Sequence, residues 1–175
     1  ESCRCPFPSV CKILWLNPCK FSFFRVMIEE NYTKERKIPM SDCIFCKIIA
    51  GEIPSATIYE NDEFKVILDR FPSGEGHALI LPKNHVPNVF EIDPAQAGRA
   101  YALAAKLARA MKEVLGFTDM NILQNNGPIA GQTVFHFHIH LIPRREDDGI
   151  NVTWTPGEPT DEQIAAVQAK LTNLI

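Results

Sequence analysis

Three of the five histidines sit in one ten-residue stretch, Gly131-Gln132-Thr133-Val134-Phe135-His136-Phe137-His138-Ile139-His140, each two residues from the next. Alternate side chains of a β-strand share a face, so this spacing predicts His136, His138 and His140 on one side. Phe135, Phe137, Ile139 and Leu141 then face a core. A solvated strand face is better made of Lys, Glu or Thr. A row of imidazoles beside a Gly turn points instead to a metal, a proton relay or a nucleophile. A single histidine is more often a surface or capped core group; three on one face are not. Cys43-x-x-Cys46 adds a second set with the spacing of two zinc thiolates, which equally suits core or redox cysteines. His77, opening an apolar run, is read as structural.

Local patterning supplies the elements that must position these groups. Ile44–Ala50 reads as a helical turn. Thr57–Glu60 and Phe64–Asp69 read as strands around an Asn61-Asp62 turn, and His77–Leu81 as a strand ended by Pro82. Asp93-Pro94 is an N-cap followed by proline at the first helical position, and Gly116 is a stop, which predicts one long helix to about Leu115. Ala97, Ala100, Tyr101, Ala104, Leu107, Ala108, Met111 and Leu115 fall on one stripe of that helix. Met120–Gln124 and Phe135–Ile142 are the remaining strands. A last helix spans Asp161–Leu174, with a Thr160/Gln163 capping box and an apolar face of Ile164, Val167, Leu171 and Leu174. Hairpin-connected strands with helices set apart imply an α+β fold around an antiparallel sheet.

The whole chain limits the partners. Its 175 residues suit one domain with something attached, and no apolar run reaches the length of a membrane span. The net charge of −3 divides into +3 over residues 1–39 and −6 over the rest. An acidic body without a basic stripe argues against long nucleic acid and leaves room for a small nucleotide. Cys3, Cys5, Cys11 and Cys19 crowd the first 19 residues, and no cysteine follows Cys46. A disulfide scaffold would spread its cysteines, so the context read here is reducing and cytoplasmic. Residues 1–39 are expected to be a poorly ordered or non-native extension, with the domain covering 40–175 and opening after Met40.

GQTVFHFHIHLIPR resembles the signature of the histidine triad (HIT) family. SDCIFCKIIAGEIPSATIYE resembles that family's amino-terminal segment, GHALILPKNH its central strand, and Asn125 through Thr133 its phosphate-binding loop. The resemblance implies an antiparallel sheet with one long and one C-terminal helix. It also implies a homodimer joined through the long helix and a sheet edge, and a nucleotide hydrolase or transferase. By position, His138 is then the nucleophile and His140 lies beside the phosphate, donating to its oxygens or to the leaving group. Gly131, Gln132 and Thr133 line the phosphate, Asn125 lies near ribose and phosphate, and Asp69 accepts the ribose hydroxyls. Ile44, Phe45 and Ile67 form an apolar slot for a purine, or are plain core. A neutral imidazole is available at pH 7 to attack phosphorus, provided its other nitrogen donates a hydrogen bond, with a backbone carbonyl as the expected acceptor.

Some HIT proteins place zinc on two cysteines and two histidines. The resemblance implies Cys43, Cys46, His85 and His136 as a closed, structural set. The alternative is that the cysteines are core or redox residues and His85 only supports His138. Two functional readings lead. One is an enzyme that releases a purine nucleoside monophosphate (AMP) from phosphoramidate or dinucleoside polyphosphate substrates through a nucleotidyl-histidine. The other is a non-catalytic nucleotide sensor or scaffold, against which the intact triad weighs. A third, weaker reading is a zinc-only structural domain.

Overall fold

The structure, a computed structural model, describes residues 42–172 and 174; the expectations for residues 1–39 lie outside them. A short helix α1 (Ile44–Ile49) precedes strands β1 (Thr57–Glu60), β2 (Phe64–Leu68) and β3 (Ala78–Pro82). The long helix α2 (Pro94–Leu115) follows, then β4 (Asp119–Leu123), a 3₁₀ turn (Pro128–Ala130), β5 (Ile139–Arg144) and helix α3 (Asp161–Leu171). The strands form one antiparallel sheet in the order β1-β2-β3-β5-β4, so the fold is α+β as the sequence implies.

The sheet separates two apolar layers. Phe64, Val66, Ala78, Ile80, Phe137, Ile139 and Leu141 face α2, where Ala100, Leu103, Ala104 and Met111 meet them. Ile67, Leu79 and Leu81 face the other way and pack with Cys43, Phe45 and Ile48 of the α1 segment. The period-2 alternation of β2, β3 and β5 thus builds both layers from the same strands.

Helix α2 has the ends its sequence predicts. The Asp93 side chain accepts the Gln96 backbone N–H, and Gly116 closes the helix in the left-handed conformation. Its buried face is rotated from the expected stripe. Leu103 and Gln96 lie on it, whereas Tyr101 is half exposed. Gln96 can occupy a buried face because its amide pairs with that of Asn84, donating to Asn84 Oδ1 at 2.6 Å.

The last strand also differs from expectation. It begins at Ile139, not Phe135, so His136 and His138 lie ahead of the ladder. Pro82 has no N–H to extend the pairing, and the Phe137 N–H donates instead to Val86 O at 2.6 Å. Helix α3 carries the predicted capping box, but Ile164, Val167 and Leu171 are all more than half exposed. No helix among the described residues is long and apolar enough to cross a membrane.

Candidate active site

The side-chain alternation survives where the ladder stops. Phe137, Ile139 and Leu141 stay in the α2 layer, and His136, His138 and His140 project to the opposite side. There the nucleophile candidate, His138, is 4 % exposed. The ring of Phe45 stands edge-on to it at 5.1 Å between centroids, and His140 lies at 4.8 Å on its other flank.

Burial is the leading cause of every histidine shift in this row. It pushes His136 and His140 down to about 4, in each case helped by neighbouring imidazoles, and it lowers His138 and His77 below the ordinary imidazole value. All four rings are therefore neutral at pH 7. A neutral imidazole has one donor and one acceptor nitrogen, and a fixed partner decides which is which.

Those partners are unambiguous. His138 Nδ1 lies 2.6 Å from the backbone carbonyl of His136. A carbonyl only accepts, so the proton is on Nδ1 and Nε2 carries the free lone pair. His136 Nε2 lies 2.9 Å from Pro82 O, which puts its proton on Nε2 and turns Nδ1 toward the cysteines. The Ser73 backbone N–H donates to His77 Nδ1 at 3.1 Å, so His77 is protonated on Nε2. That Nε2–H donates to His140 Nδ1 at 2.9 Å, which leaves His140 with its proton on Nε2. Asp69 Oδ2, at 3.6 Å from His77 Nδ1, is too far to compete.

The three triad rings thus differ in what they offer. His136 presents a lone pair to the cysteines, His138 an unprotonated Nε2, and His140 an N–H donor. His77 is the member that sequence reasoning missed. Extending the alternation of β3 back by one step places residue 77 on the face of Leu79 and Leu81, and Leu79 is the register partner of His140. Gly76 holds φ +80° immediately before it, and a Cβ there would come within 2.6 Å of Leu115 Cδ1.

The other predicted residues gather around this row in different roles. Asp69 lies just past β2, one-fifth exposed, and its Oδ1 accepts the Phe71 N–H at 2.9 Å. Phe45 and Ile67 are buried in the α1 layer, and Ile44 is about half exposed. Gly131 has φ +85° beside Asn125 Nδ2, a conformation suited to glycine. Gln132 differs from a phosphate donor: it is buried, and its amide donates to Pro87 O at 2.6 Å and Val134 O at 3.1 Å. Its Oε1 accepts the Gly127 N–H at 2.8 Å, so Gln132 holds the loop in shape. Thr133 is exposed.

Cys43, Cys46, His85 and His136 form one cluster, with donor atoms all within 4.8 Å of one another. His136 Nδ1 lies 3.6 Å from Cys43 Sγ and 3.5 Å from Cys46 Sγ, and His85 Nδ1 lies 3.3 Å from Cys46 Sγ. Tetrahedral zinc bonds of about 2.3 Å to sulfur and about 2.0–2.1 Å to nitrogen set such edges near 3.5 Å. The four donors therefore fit zinc in kind, and these three nitrogen–sulfur separations fit it in spacing. The Pro82 carbonyl on His136 Nε2–H is the kind of outer contact that would orient this imidazole toward a metal. Without a cation, burial and the adjoining Cys43 push the Cys46 thiol up to about 12.

Comparison with known proteins gives the family. The HIT domain model matches residues 50–147. The chain belongs to the histidine triad family. It is 46% identical over 120 residues to the adenosine 5'-monophosphoramidase of Saccharomyces cerevisiae, covering 68% of this chain and 73% of that relative. A crystal structure from Streptococcus mutans UA159 superposes with a TM-score of 0.74 at 38% identity, covering 77% of this chain and 86% of that one. A zinc-bound histidine triad family protein of Mycobacterium smegmatis gives 0.61 at 36% identity, covering 77% and 96%.

Proposed function

We propose that this chain is a nucleotide hydrolase that releases AMP from adenosine phosphoramidates or dinucleoside polyphosphates through a covalent intermediate on His138. The observation that carries the reading is the 2.6 Å contact from His138 Nδ1 to the His136 carbonyl, which reserves Nε2 for attack. A phosphorus–nitrogen bond forms as the bond to the leaving group breaks. The leaving group takes the electron pair and gains its proton from solvent. Water then attacks the phosphorus, the phosphorus–nitrogen bond breaks with its electron pair returning to His138 Nε2, AMP leaves, and the water's proton goes to solvent. His140 donates its Nε2–H to a phosphoryl oxygen or to the departing atom, the stabilisation on which phosphoryl transfer chiefly depends. Asp69 receives the ribose hydroxyls. Ile44, Phe45 and Ile67 hold the purine, and Asn125, Gly131 and Thr133 border the phosphate on a loop shaped by Gln132.

In the same reading Cys43, Cys46, His85 and His136 hold a structural zinc. Bound there, the metal supplies a cross-link between the α1 segment and the histidine row, since all four positions are filled by protein. The yeast relative named as a phosphoramidase and the zinc-bound mycobacterial structure support both parts. A homodimer through α2 and a sheet edge completes the proposal; β1 and β4 are the outer strands among the described residues.

The test is incubation with adenosine phosphoramidate and with diadenosine tetraphosphate, followed by product analysis, for the wild type and for His138→Ala. AMP release by the wild type alone is expected. Binding without product from either compound would favour a nucleotide sensor.

A further inference from the structure

Resting on that nucleotidyl-transfer reading, we infer that His136 is a positioning residue through which the Cys43/Cys46/His85 cluster fixes the tautomer and aim of His138. The metal site thereby governs the rate of transfer through the placement of His138. His136 contacts its surroundings in four directions. Its Nδ1 faces Cys43 and Cys46, its Nε2–H donates to Pro82 O, its backbone N–H donates to Val134 O at 2.9 Å, and its carbonyl receives the His138 Nδ1–H. The two ends of that chain are the metal donors and the nucleophile.

The backbone there needs such an anchor. Register pairing with β3 starts only at Ile139, so the segment carrying His136 and His138 lacks a strand neighbour. What holds it is the connection after β3, at three successive residues. His85 meets it through the cysteine cluster, Val86 O accepts the Phe137 N–H, and Pro87 O accepts the Gln132 amide. A cation bound by His85 and His136 together would clamp these two irregular segments to each other and to α1. Without it, the His136 ring keeps one hydrogen bond to Pro82 and weak contacts to thiols. Its carbonyl, and with it the preference of His138 for the Nδ1–H form, is then less firmly placed. Outer contacts of this kind typically change activity by about 10–100-fold.

Full-length protein carrying 15N-labelled histidine tests this, zinc-loaded and chelator-stripped, with His138 signals assigned by their loss in His138→Gln. The loaded form is expected to show His138 protonated on Nδ1 alone, and the stripped form a mixture of both tautomers. In single-turnover mixing with adenosine phosphoramidate, stripping is expected to slow adduct formation about 10–100-fold, more than it changes AMP affinity. Cobalt is expected to restore the rate together with a thiolate-to-cobalt absorption band. His85→Ala, which leaves His136 and both cysteines in place, should reproduce the stripped state. A stripped protein with unchanged His138 tautomer and a rate within twofold of the loaded form would overturn the inference. So would general unfolding of the sheet on stripping, seen as collapse of the amide spectrum, because the metal would then act on the whole fold. If the loaded protein forms no adduct, the functional reading fails while the tautomer comparison still decides the role of His136.

Discussion

The imidazole of His138 donates its Nδ1–H to the backbone carbonyl of His136, two residues earlier, at 2.6 Å. One hydrogen bond therefore fixes which nitrogen of the central ring is protonated and which faces out as a base or nucleophile. His136 meets the cysteines with its ring and His138 with its backbone, so one residue joins the two clusters.

The His77–His140 hydrogen bond predicts a defined cost for His77→Phe. Removing the donor frees His140 Nδ1, and the ring is no longer held with its proton on Nε2. Steady-state kinetics with adenosine phosphoramidate should show kcat lowered about 3–10-fold with little change in KM, and His77→Gln, which keeps a donor, should recover part of it. Unaltered kcat in His77→Phe would remove His77 from the site.

Gly76→Ala should act on the same ring through the backbone. Residue 76 sits at φ +80°, where a non-glycine residue costs about 1–2 kcal/mol, and its Cβ also meets Leu115. Urea denaturation should register that loss, and kcat should fall as His77 shifts. A variant as stable as the wild type would contradict the backbone assignment.

Stability should fall in mild acid. Burial, helped by His138 and His77 and opposed by Asp69, keeps His140 neutral to about pH 4 in the folded protein, whereas an unfolded chain protonates it near the ordinary imidazole value of about 6.5. Between those limits the unfolded state binds more protons, so stability is complete above about pH 6.5 and declines as pH drops toward 4. Thermal melting across that range should show a falling midpoint, and His140→Asn should flatten the slope. An equal slope in the variant would show that the titrating group lies elsewhere.

Leu141→Ala tests the layer behind the histidines. Leu141 is fully buried against α2, on the reverse of the strand that carries His140. The loss should be about 2–5 kcal/mol by denaturant titration, with the histidine row otherwise intact. A change under 1 kcal/mol would mean that this layer is not packed as described.

Much of this was readable from sequence where the signal is local. Asp93-Pro94 and Gly116 bracket α2 because capping depends on the residues at the ends themselves. Cys43, Cys46, His85 and His136 stand out by donor type and by resemblance, and the fold brings them together. What stayed hidden depends on partners distant in sequence. Strand β5 starts late because Pro82, across the sheet, offers no N–H and gives its carbonyl to His136. His77 looked structural because the partner that gives it a role, His140, lies 63 residues away. Gln132 looked like a phosphate donor, but two carbonyls of the folded loop already occupy its amide. The buried face of α2 turned toward Leu103 because Asn84 satisfies Gln96.

Rapid quenching of the zinc-loaded protein with adenosine phosphoramidate, followed by peptide mass spectrometry under alkaline conditions, tests the central claim most directly. The account predicts an AMP adduct on His138, formed and lost at rates matching turnover and absent in His138→Ala. Turnover without an adduct, or with one on another residue, would contradict it.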